Sequence, residues 1–445
     1  MKLSKALIAA SSSGGSGAFL MTRDGFDPTS MQLLSNGEVV CCDNDGGINI
    51  YKINNTYTAI NLSYDFQDSA AGSNGISSVG VNNDGDVTAY STYYDYQSYV
   101  GSTWHRPRIT ILDPSDFSVI SDKTATKSTN VDIYSTSKLV NISTSANLLG
   151  YVTEIPSSNS SYPLGQKGGY WNGSSFNYTH AKASNTNLSL SVTTGPLVSA
   201  VSRAFQGTTT KDSTSSNADY TAAVRSWNAS GGTQNAGYRL RNPPSSNDRA
   251  QIWDIATTKN FVDGFNVVYY AASAKTSSGS YRNIDIYKLY SSDGSSYSNL
   301  FFTSMGYGWT AAGMAVNDTH DRIFVAMNAG SSVYLELMDD SATSIWAYYL
   351  TVSSGSNLGG QRETTFDSSG NILWRTNQGI LFIPSEGLRT GTTGRYTITE
   401  ATPARGSQNL VVAGQNVSAS NTSTSSTDTS WTTTSQTSNL VKSDI

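Results

Sequence analysis

Two acidic turns in the N-terminal part of the chain have the composition of a cation-binding loop. Asp43–Gly47 has the sequence DNDGG, and Asn82–Asp86 has the sequence NNDGD. A calcium loop presents several oxygen ligands at fixed spacing and ends in a bidentate carboxylate. Neither segment is closed by such an acidic residue, whereas Asn-Gly and Asp-Gly are strong signals for tight hairpin turns. The spacing therefore predicts hairpin turns rather than calcium sites.

The other residues that could do chemistry are dispersed along the chain. His105, His180 and His320 form no HxH, HxxxH or HExxH pattern, and these spacings are the usual ones for a zinc site. The sequence also has no GxSxG elbow and no glycine-rich phosphate loop. The adjacent carboxylates Asp339 and Asp340 lie in a predicted turn and are expected to point apart. We therefore predict no catalytic residues, no metal site and no cofactor, in a protein that is not an enzyme.

Charge and cysteine content restrict the partners. Cys41 and Cys42 are the only cysteines and follow each other on a predicted strand. Strand neighbours face opposite sides, which predicts core packing rather than a metal pair or a disulfide. The formal net charge is −5 and the basic residues are scattered, which argues against a nucleic-acid surface. No apolar stretch approaches the length of roughly 20 residues that crosses a membrane as a helix, so no membrane insertion is expected.

A strand–turn–strand pattern organises most of the chain. It recurs at Leu34–Cys42, Val81–Ser91, Ser143–Glu154, Val192–Ser202, Thr258–Ala272, Val316–Asn328 and Phe366–Thr376. Each occurrence is followed by further β-rich segments, so that about four strands recur every 50 to 60 residues or so, as a β-propeller requires. A two-sheet sandwich uses only about seven strands. We predict an all-β fold, a seven-bladed β-propeller of four-stranded antiparallel blades.

Both ends of the chain differ from the repeat. Residues 1–25 are predicted to form an extended arm, 26–402 the propeller, and 403–445 a low-complexity tail rich in Ser and Thr. Such a polar tract cannot bury enough apolar surface to fold alone, although it could add a strand to the sheet edge of a partner. Gly394–Thr402 is the expected fourth strand of the last blade. How the ring closes is left open, and the arm could supply an edge strand.

One segment stands out as a candidate binding site. Ser91–Pro107 is predicted to be a loop between the second and third strands of the second blade, and its aromatic residues are Tyr93, Tyr94, Tyr96, Tyr99 and Trp104. Aromatic side chains offer rigid contact area to proteins or sugars. The corresponding loops of the next three blades (Pro156–Lys167, Arg203–Tyr220 and Ser273–Tyr281) are also long, which predicts one elaborated face. Alternatively, these tyrosines only cover the rim of the blade.

Two segments resemble a known class of protein. Trp309–Asn328 and Phe366–Leu388, together with the short arm and the Ser/Thr-rich tail, resemble virion structural proteins of marine tailed bacteriophages, especially tail and fibre proteins. The resemblance implies a non-enzymatic component present in several copies and attached to the particle through a terminal segment. The implied partners are other virion proteins, copies of the chain itself and a host surface glycan or protein. The implied location is the virion, with a soluble state in the host cytoplasm before assembly.

The leading hypothesis is thus a virion structural protein displayed on the phage tail or particle surface, acting in assembly or host adhesion. A second hypothesis is a secreted carbohydrate-binding or glycoside-hydrolysing propeller. A hydrolase of this kind would place two inward carboxylates about 5 to 10 Å apart in the central channel. A third hypothesis, an intracellular scaffold, predicts no ordered tail.

Overall fold

The structure, a computed structural model, contains only strands, turns and irregular segments among the residues that it describes. These residues are 17–43, 48–67, 74–97, 102–125, 140–141, 149–155, 165–181, 197–200, 203–211, 220–228, 234–241, 249–258, 264–275, 281–293, 297–306, 309–319, 321–353, 358–359, 363–403, 405–408, 410–414 and 419–445. Within them, no helix has the length and apolar character needed to cross a bilayer.

The described residues form 34 strands. They are β1 (Phe19–Arg23), β2 (Ser30–Leu33), β3 (Val39–Asp43), β4 (Ile48–Ile53), β5 (Ile60–Gln67), β6 (Asn74–Val81), β7 (Val87–Gln97), β8 (Ser102–Leu112), β9 (Val119–Ala125), β10 (Val140–Asn141), β11 (Leu149–Ile155), β12 (Gly165–Trp171), β13 (Ser175–Ala181), β14 (Leu197–Ala200), β15 (Arg203–Lys211), β16 (Tyr220–Asn228), β17 (Gln234–Arg241), β18 (Arg249–Thr257), β19 (Asn266–Lys275), β20 (Tyr281–Ser291), β21 (Ser298–Met305), β22 (Thr310–Val316), β23 (Ile323–Ala329), β24 (Ser332–Met338), β25 (Ser344–Val352), β26 (Thr364–Phe366), β27 (Ile372–Thr376), β28 (Gly379–Ile383), β29 (Gly391–Thr393), β30 (Tyr396–Glu400), β31 (Val411–Gly414), β32 (Ala419–Asp428), β33 (Thr432–Ser435) and β34 (Leu440–Asp444).

The predicted arrangement of seven separate four-stranded blades is wrong. Hydrogen bonding joins the described strands into six sheets, and only one of these has four strands. The strand orders are β2-β3-β4-β5-β33 (sheet 1), β6-β7-β8-β9-β32-β13-β12-β11-β10 (sheet 2), β14-β15-β16-β17-β31 (sheet 3), β18-β19-β20-β21 (sheet 4), β22-β23-β24-β25-β30-β29 (sheet 5) and β26-β27-β28-β1-β34 (sheet 6). The difference arises because strands from the C-terminal part extend the sheets. One of them, β32, pairs with both β13 and β9 and so joins two four-stranded meanders.

The meanders are arranged radially. The first strand of each contacts the first strand of the next, from β2 to β6, β10, β14, β18, β22 and β26. The circle closes where the Glu363 carboxylate, next to β26, accepts hydrogen bonds from the Ser30 hydroxyl (2.7 Å) and the Met31 amide (2.6 Å) on β2. Radial repetition of antiparallel meanders is the β-propeller architecture.

The hydrophobic core lies between neighbouring sheets. Phe324 of sheet 5 packs in one cluster with Trp374 of sheet 6, and Val40 of sheet 1 packs with Val87 of sheet 2. Because a sheet in the ring has neighbours on both faces, its central strands are buried on both sides. The five residues Ile323–Met327 at the start of β23 are all buried, so these strands have continuous apolar runs rather than a clean alternation.

The N-terminal strand β1 completes the last meander. It pairs with β28 on one side and with β34 on the other. The expectation that Gly394–Thr402 forms the fourth strand of this meander is therefore wrong. The strand found in that region, β30, pairs with β25 of the preceding sheet instead. Joining both ends of the chain to one sheet closes the ring by backbone hydrogen bonds, which side-chain packing between sheets alone would not supply.

The C-terminal segment 403–445, called the belt below, follows the outer edges of the sheets in reverse order. After an isolated bridge from Arg405 to Met305 in sheet 4, its strands pair in succession with β17, β13, β9, β5 and β1. The Ser/Thr-rich composition cannot build a core, but each residue still supplies backbone donors and acceptors to an unpaired strand edge. The predicted tail is thus a set of edge strands of its own propeller.

Arg405 anchors the start of the belt in an ion pair with a buried carboxylate. Its guanidinium donates to both carboxylate oxygens of Glu336 on β24, at 2.6 and 3.0 Å. The hydroxyl of Tyr334 donates to the same carboxylate at 2.7 Å. Burial alone would lower the pKa of Arg405, but the hydrogen bond and charge of Glu336 raise it above its ordinary value. Because the backbone of Arg405 pairs with sheet 4 and its side chain with sheet 5, this residue ties the two sheets together.

Trp431 anchors the belt between sheets 1 and 2. Its ring lies over the guanidinium of Arg108, 3.6 Å from the ring centroid, and meets the Phe66 ring edge to face at 6.1 Å. Its indole N–H donates to the Thr110 hydroxyl at 2.9 Å. A cation–π contact with a desolvated arginine and a satisfied indole N–H both favour this position.

We expect Trp431→Ala to lower the free energy of unfolding by roughly 2–3 kcal/mol, because a large side chain packed on two sheets is lost. Thermal and denaturant unfolding measure the change. Thr433→Ala is the matched control, since Thr433 is an exposed residue of β33 whose backbone pairing survives the substitution, and a shift within about 0.5 kcal/mol is expected. Equal effects of the two substitutions would contradict the anchoring role of Trp431.

Candidate binding surface

The aromatic segment Ser91–Pro107 forms a two-stranded ribbon instead of the predicted long loop. β7 and β8 pair without interruption from Val87 opposite Leu112 to Gln97 opposite Ser102. Their ladder is longer than that of β27 and β28, which pair only from Ile372–Ile383 to Thr376–Gly379. β-branched and aromatic residues favour strands on both arms of the hairpin, which explains why the pairing continues beyond the sheet.

The predicted site residues lie near the end of this ribbon. Tyr93, Tyr94 and Tyr96 belong to β7, and Trp104 belongs to β8. The backbone of Trp104 is opposite Asp95, between Tyr94 and Tyr96. Tyr99 lies outside the described residues. The register thus brings these four of the five predicted positions together along the backbone.

The equivalent hairpins of the next three meanders are also long. β11 pairs with β12 up to Ile155–Gly165, β15 with β16 up to Lys211–Tyr220, and β19 with β20 up to Lys275–Tyr281. Most of Arg203–Tyr220, expected to be a loop, is strand β15, and the remaining parts of these predicted loops fall largely outside the described residues. Since all these hairpins join the second strand of a meander to the third, the radial arrangement places their ends on one side of the ring.

A buried polar cluster fixes the base of the β7–β8 ribbon. The guanidinium of Arg108, fully buried on β8, donates to the Asp122 carboxylate of β9 through Nε at 2.9 Å and Nη2 at 2.5 Å. The hydroxyl of Thr110 donates to Asp122 at 2.8 Å and accepts the indole N–H of Trp431. A bidentate arginine–carboxylate pair has a defined geometry. The ribbon therefore rises from a rigid base that the belt completes.

The sequence analysis missed this cluster. Thr110 and Trp431 are 321 positions apart in the chain, and no local pattern relates them. The one available signal was that Trp431 is the single tryptophan in an otherwise polar tail. An isolated large aromatic in such a tract indicates a contact with something else.

Two carboxylates at the first strands of their meanders, called the inner carboxylates below, join neighbouring sheets. Asp254 lies at a β-bulge of β18, and its Oδ2 accepts the backbone N–H of Met314 on β22 at 2.7 Å. Glu363, which closes the ring on β2, also accepts a hydrogen bond from Arg375 Nε at 2.9 Å. Buried carboxylates of this kind are stabilised by the groups they accept from. Both carboxylates thus hold strands in place.

The two cysteines pack on opposite faces of β3, as predicted. Cys41 and Cys42 are buried and are not joined in a disulfide, and they belong to different hydrophobic clusters. Burial raises the pKa of the Cys42 thiol to about 12, so it is protonated at neutral pH. In the part of the chain that the structure describes, no group of three or more His, Cys, Asp or Glu side chains could hold a metal ion.

Comparison with known proteins finds similarity only among solved structures. No family model matches the chain, and no curated protein sequence matches it. The β-propeller domain of Cps50 (Swd1) from Myceliophteria thermophila is 7% identical over 82% of this chain and 98% of its own, with a TM-score of 0.46. A chain of the mitotic checkpoint complex is 9% identical over 86% and 98%, with a TM-score of 0.45. The α-L-arabinanase of Penicillium chrysogenum is 9% identical over 87% and 99%, with a TM-score of 0.38. We draw no functional conclusion from similarities at this level.

We expect Arg108→Met to lower the free energy of unfolding by roughly 3–5 kcal/mol, because Asp122 is left as a buried charge without its cation. Amide exchange in Tyr93–Tyr96 should accelerate in the same variant, since the base of the ribbon loosens. Unfolding experiments and hydrogen exchange measure the two effects. The control is Arg322→Met, which removes a solvent-exposed ion pair with Asp321 and should change stability by less than about 1 kcal/mol. Unchanged exchange in the ribbon of the Arg108 variant would show that the cluster does not support it.

Proposed function

We propose that this protein is a non-enzymatic virion structural protein, displayed on the tail or particle surface of a tailed bacteriophage and acting in assembly or host adhesion. One observation carries the proposal. The propeller combines a scaffold whose sheets are joined by the belt with an aromatic β-ribbon, β7–β8, that extends from one side of the ring. Adhesion requires contact groups held rigidly by a domain that resists unfolding. The resemblance of the last repeats and both termini to phage tail and fibre proteins supplies the biological setting.

The belt supports a role in which the protein persists outside a cell. Unfolding such a domain requires the belt to detach or the sheets to separate with it, because the belt pairs with successive sheets around the ring. Interactions that must break before the transition state slow unfolding. Kinetic stability of this kind suits a component of a particle, which has no chaperones to restore it.

The inner carboxylates favour this proposal over a glycoside hydrolase. Hydrolysis needs one carboxyl group as acid and another as base or nucleophile. Asp254 and Glu363 instead accept backbone amides of the adjacent strands. Withdrawing either carboxylate for catalysis would leave a buried amide without its acceptor, at a cost of roughly 1–3 kcal/mol.

The proposed location on the virion is tested on purified particles. We expect mass spectrometry to detect the chain in virions purified from infected cells, and antibodies against it to label the tail or the particle surface in electron micrographs. Limited proteolysis of intact particles should give the same protection pattern as the purified protein. Recovery of the chain only from the soluble fraction of the lysate, with particles free of it, would contradict the proposal.

The adhesion role predicts a loss of binding when the ribbon loses its aromatic residues. The double variant Tyr94→Ala/Trp104→Ala should bind host cell envelopes at least about 10-fold more weakly, because aromatic contacts dominate such interfaces. Sedimentation of labelled protein with envelopes measures binding. Phe265→Ala is the control, because Phe265 is 44% exposed in the turn before β19, at the other end of the meander. Equal binding by all three proteins, or release of reducing sugars from the envelopes, would contradict the proposal.

A further inference from the structure

β21 is the outer strand of sheet 4, and most of its length lacks the additional strand that the other sheets receive. Sheets 1, 2, 3 and 6 each gain one from the C-terminal part of the chain, and sheet 5 gains two. At sheet 4, the contact is an isolated bridge between Met305 and Arg405 and a hydrogen bond from the Gly406 amide to the Ser304 carbonyl at 2.8 Å. Both lie at the end of β21. The described part of the chain places no strand beside Ser298–Thr303.

The belt leaves this edge because it turns inward between sheets 3 and 4. Leu410 is fully buried in a cluster with Phe205 of sheet 3 and Tyr287 of sheet 4. Its amide donates to the Asp285 carboxylate at 2.8 Å, and its carbonyl accepts the Tyr287 hydroxyl at 2.7 Å. These residues belong to β20, one strand inside β21. The same segment therefore cannot also cover the edge of β21.

The uncovered edge differs in chemistry from the outermost belt strands of sheets 1 and 6, β33 and β34. Leu300 and Phe301 are 53% and 40% exposed, and Ser298–Met305 contains no charged residue. Exposed edge strands usually carry charges or polar residues that prevent pairing with other chains. The belt provides such edges elsewhere: β33 has the sequence TTTS, and β34 contains Lys442 and Asp444.

We propose that β21 is a docking edge for a second copy of this chain, in which the two β21 strands pair antiparallel about a two-fold axis. An occupant that satisfies an edge must be a strand, since the edge offers backbone donors and acceptors in a row. A two-fold axis sets like residues near each other, so a self-pairing strand must be uncharged at its centre. β21 meets this condition, because Ser298–Met305 has no charged residue.

Side chains on both faces of the paired strands contribute to the contact. Leu300 and Phe301 are consecutive and so point to opposite sides of the sheet. Near the axis, each side chain would contact apolar groups of the other copy. The area that Leu300 and Phe301 now expose to water would therefore be buried on both faces of the joined sheet. This inference goes beyond the proposed function and does not rest on it, because it concerns the chain alone rather than the particle.

The test measures the oligomeric state of the full-length chain by sedimentation velocity and light scattering over a concentration series. We expect a reversible dimer of the wild type. Leu300→Lys should weaken dimerisation by about 100-fold or more, since each dimer gains two like charges near its axis. Ile345→Lys is the matched control: Ile345 is 45% exposed on β25, away from β21, and its substitution should leave the dissociation constant unchanged. Thermal unfolding of both variants verifies that they are folded.

Hydrogen exchange of the unmodified protein gives a second measurement. Amides of Ser298–Thr303 should become protected as the protein concentration rises, while those of β33 should not change. A wild type that stays monomeric up to about 100 μM, or equal weakening by both lysine variants, would overturn the proposal. So would concentration-independent exchange in β21, or a monomer that pairs this edge with a strand from another protein.

Discussion

Unpaired strand edges are the constraint on which the rest of this structure depends. A ring of radial meanders leaves an outer strand on each sheet, and the backbone groups of that strand need partners or water. Here the chain uses its own C-terminal part to cover most of these edges, and its N-terminal strand to complete the last meander. At sheets 1 and 6 the outermost strands are then the short polar strands β33 and β34. Sheet 4 is different because the belt enters the core beside it.

Buried carboxylates and the groups bound to them hold the belt and the ring together. Arg405 with Glu336 and Arg108 with Asp122 pair through charge-assisted hydrogen bonds, and Glu363 closes the circle on the amide of β2. Replacing such pairs by apolar residues is often neutral for stability, whereas removing one partner is costly. A Ser/Thr-rich strand has no side-chain pattern of its own with which to select a register, and the contacts of Arg405 and Trp431 fix two points of the belt.

The residues that stabilise the scaffold and the candidate binding residues occupy different parts of the propeller. Polar clusters at the bases of the sheets are occupied by structural hydrogen bonds, while aromatic residues lie towards the ends of long ribbons on one side. The buried cluster of Arg108 and Trp431 links the two, because it joins the belt to the ribbon that carries Tyr94 and Trp104. The belt and the ribbon are thus joined through packed, hydrogen-bonded groups.

The sequence by itself determined the all-β class, the repeating meander and the burial of Cys41 and Cys42, because alternation, turn residues and adjacency on a strand are local properties. It also located the aromatic segment, although it predicted a loop where β7 and β8 pair. Only the tertiary structure decided how many sheets form and where the C-terminal segment lies. Backbone pairing at an edge uses donors and acceptors that nearly every residue carries, so the composition of a Ser/Thr-rich strand does not specify its partner, which is set by the edges that are free. The contact of Trp431 with Arg108 was likewise beyond the sequence, since it depends on the path of the chain around the whole ring.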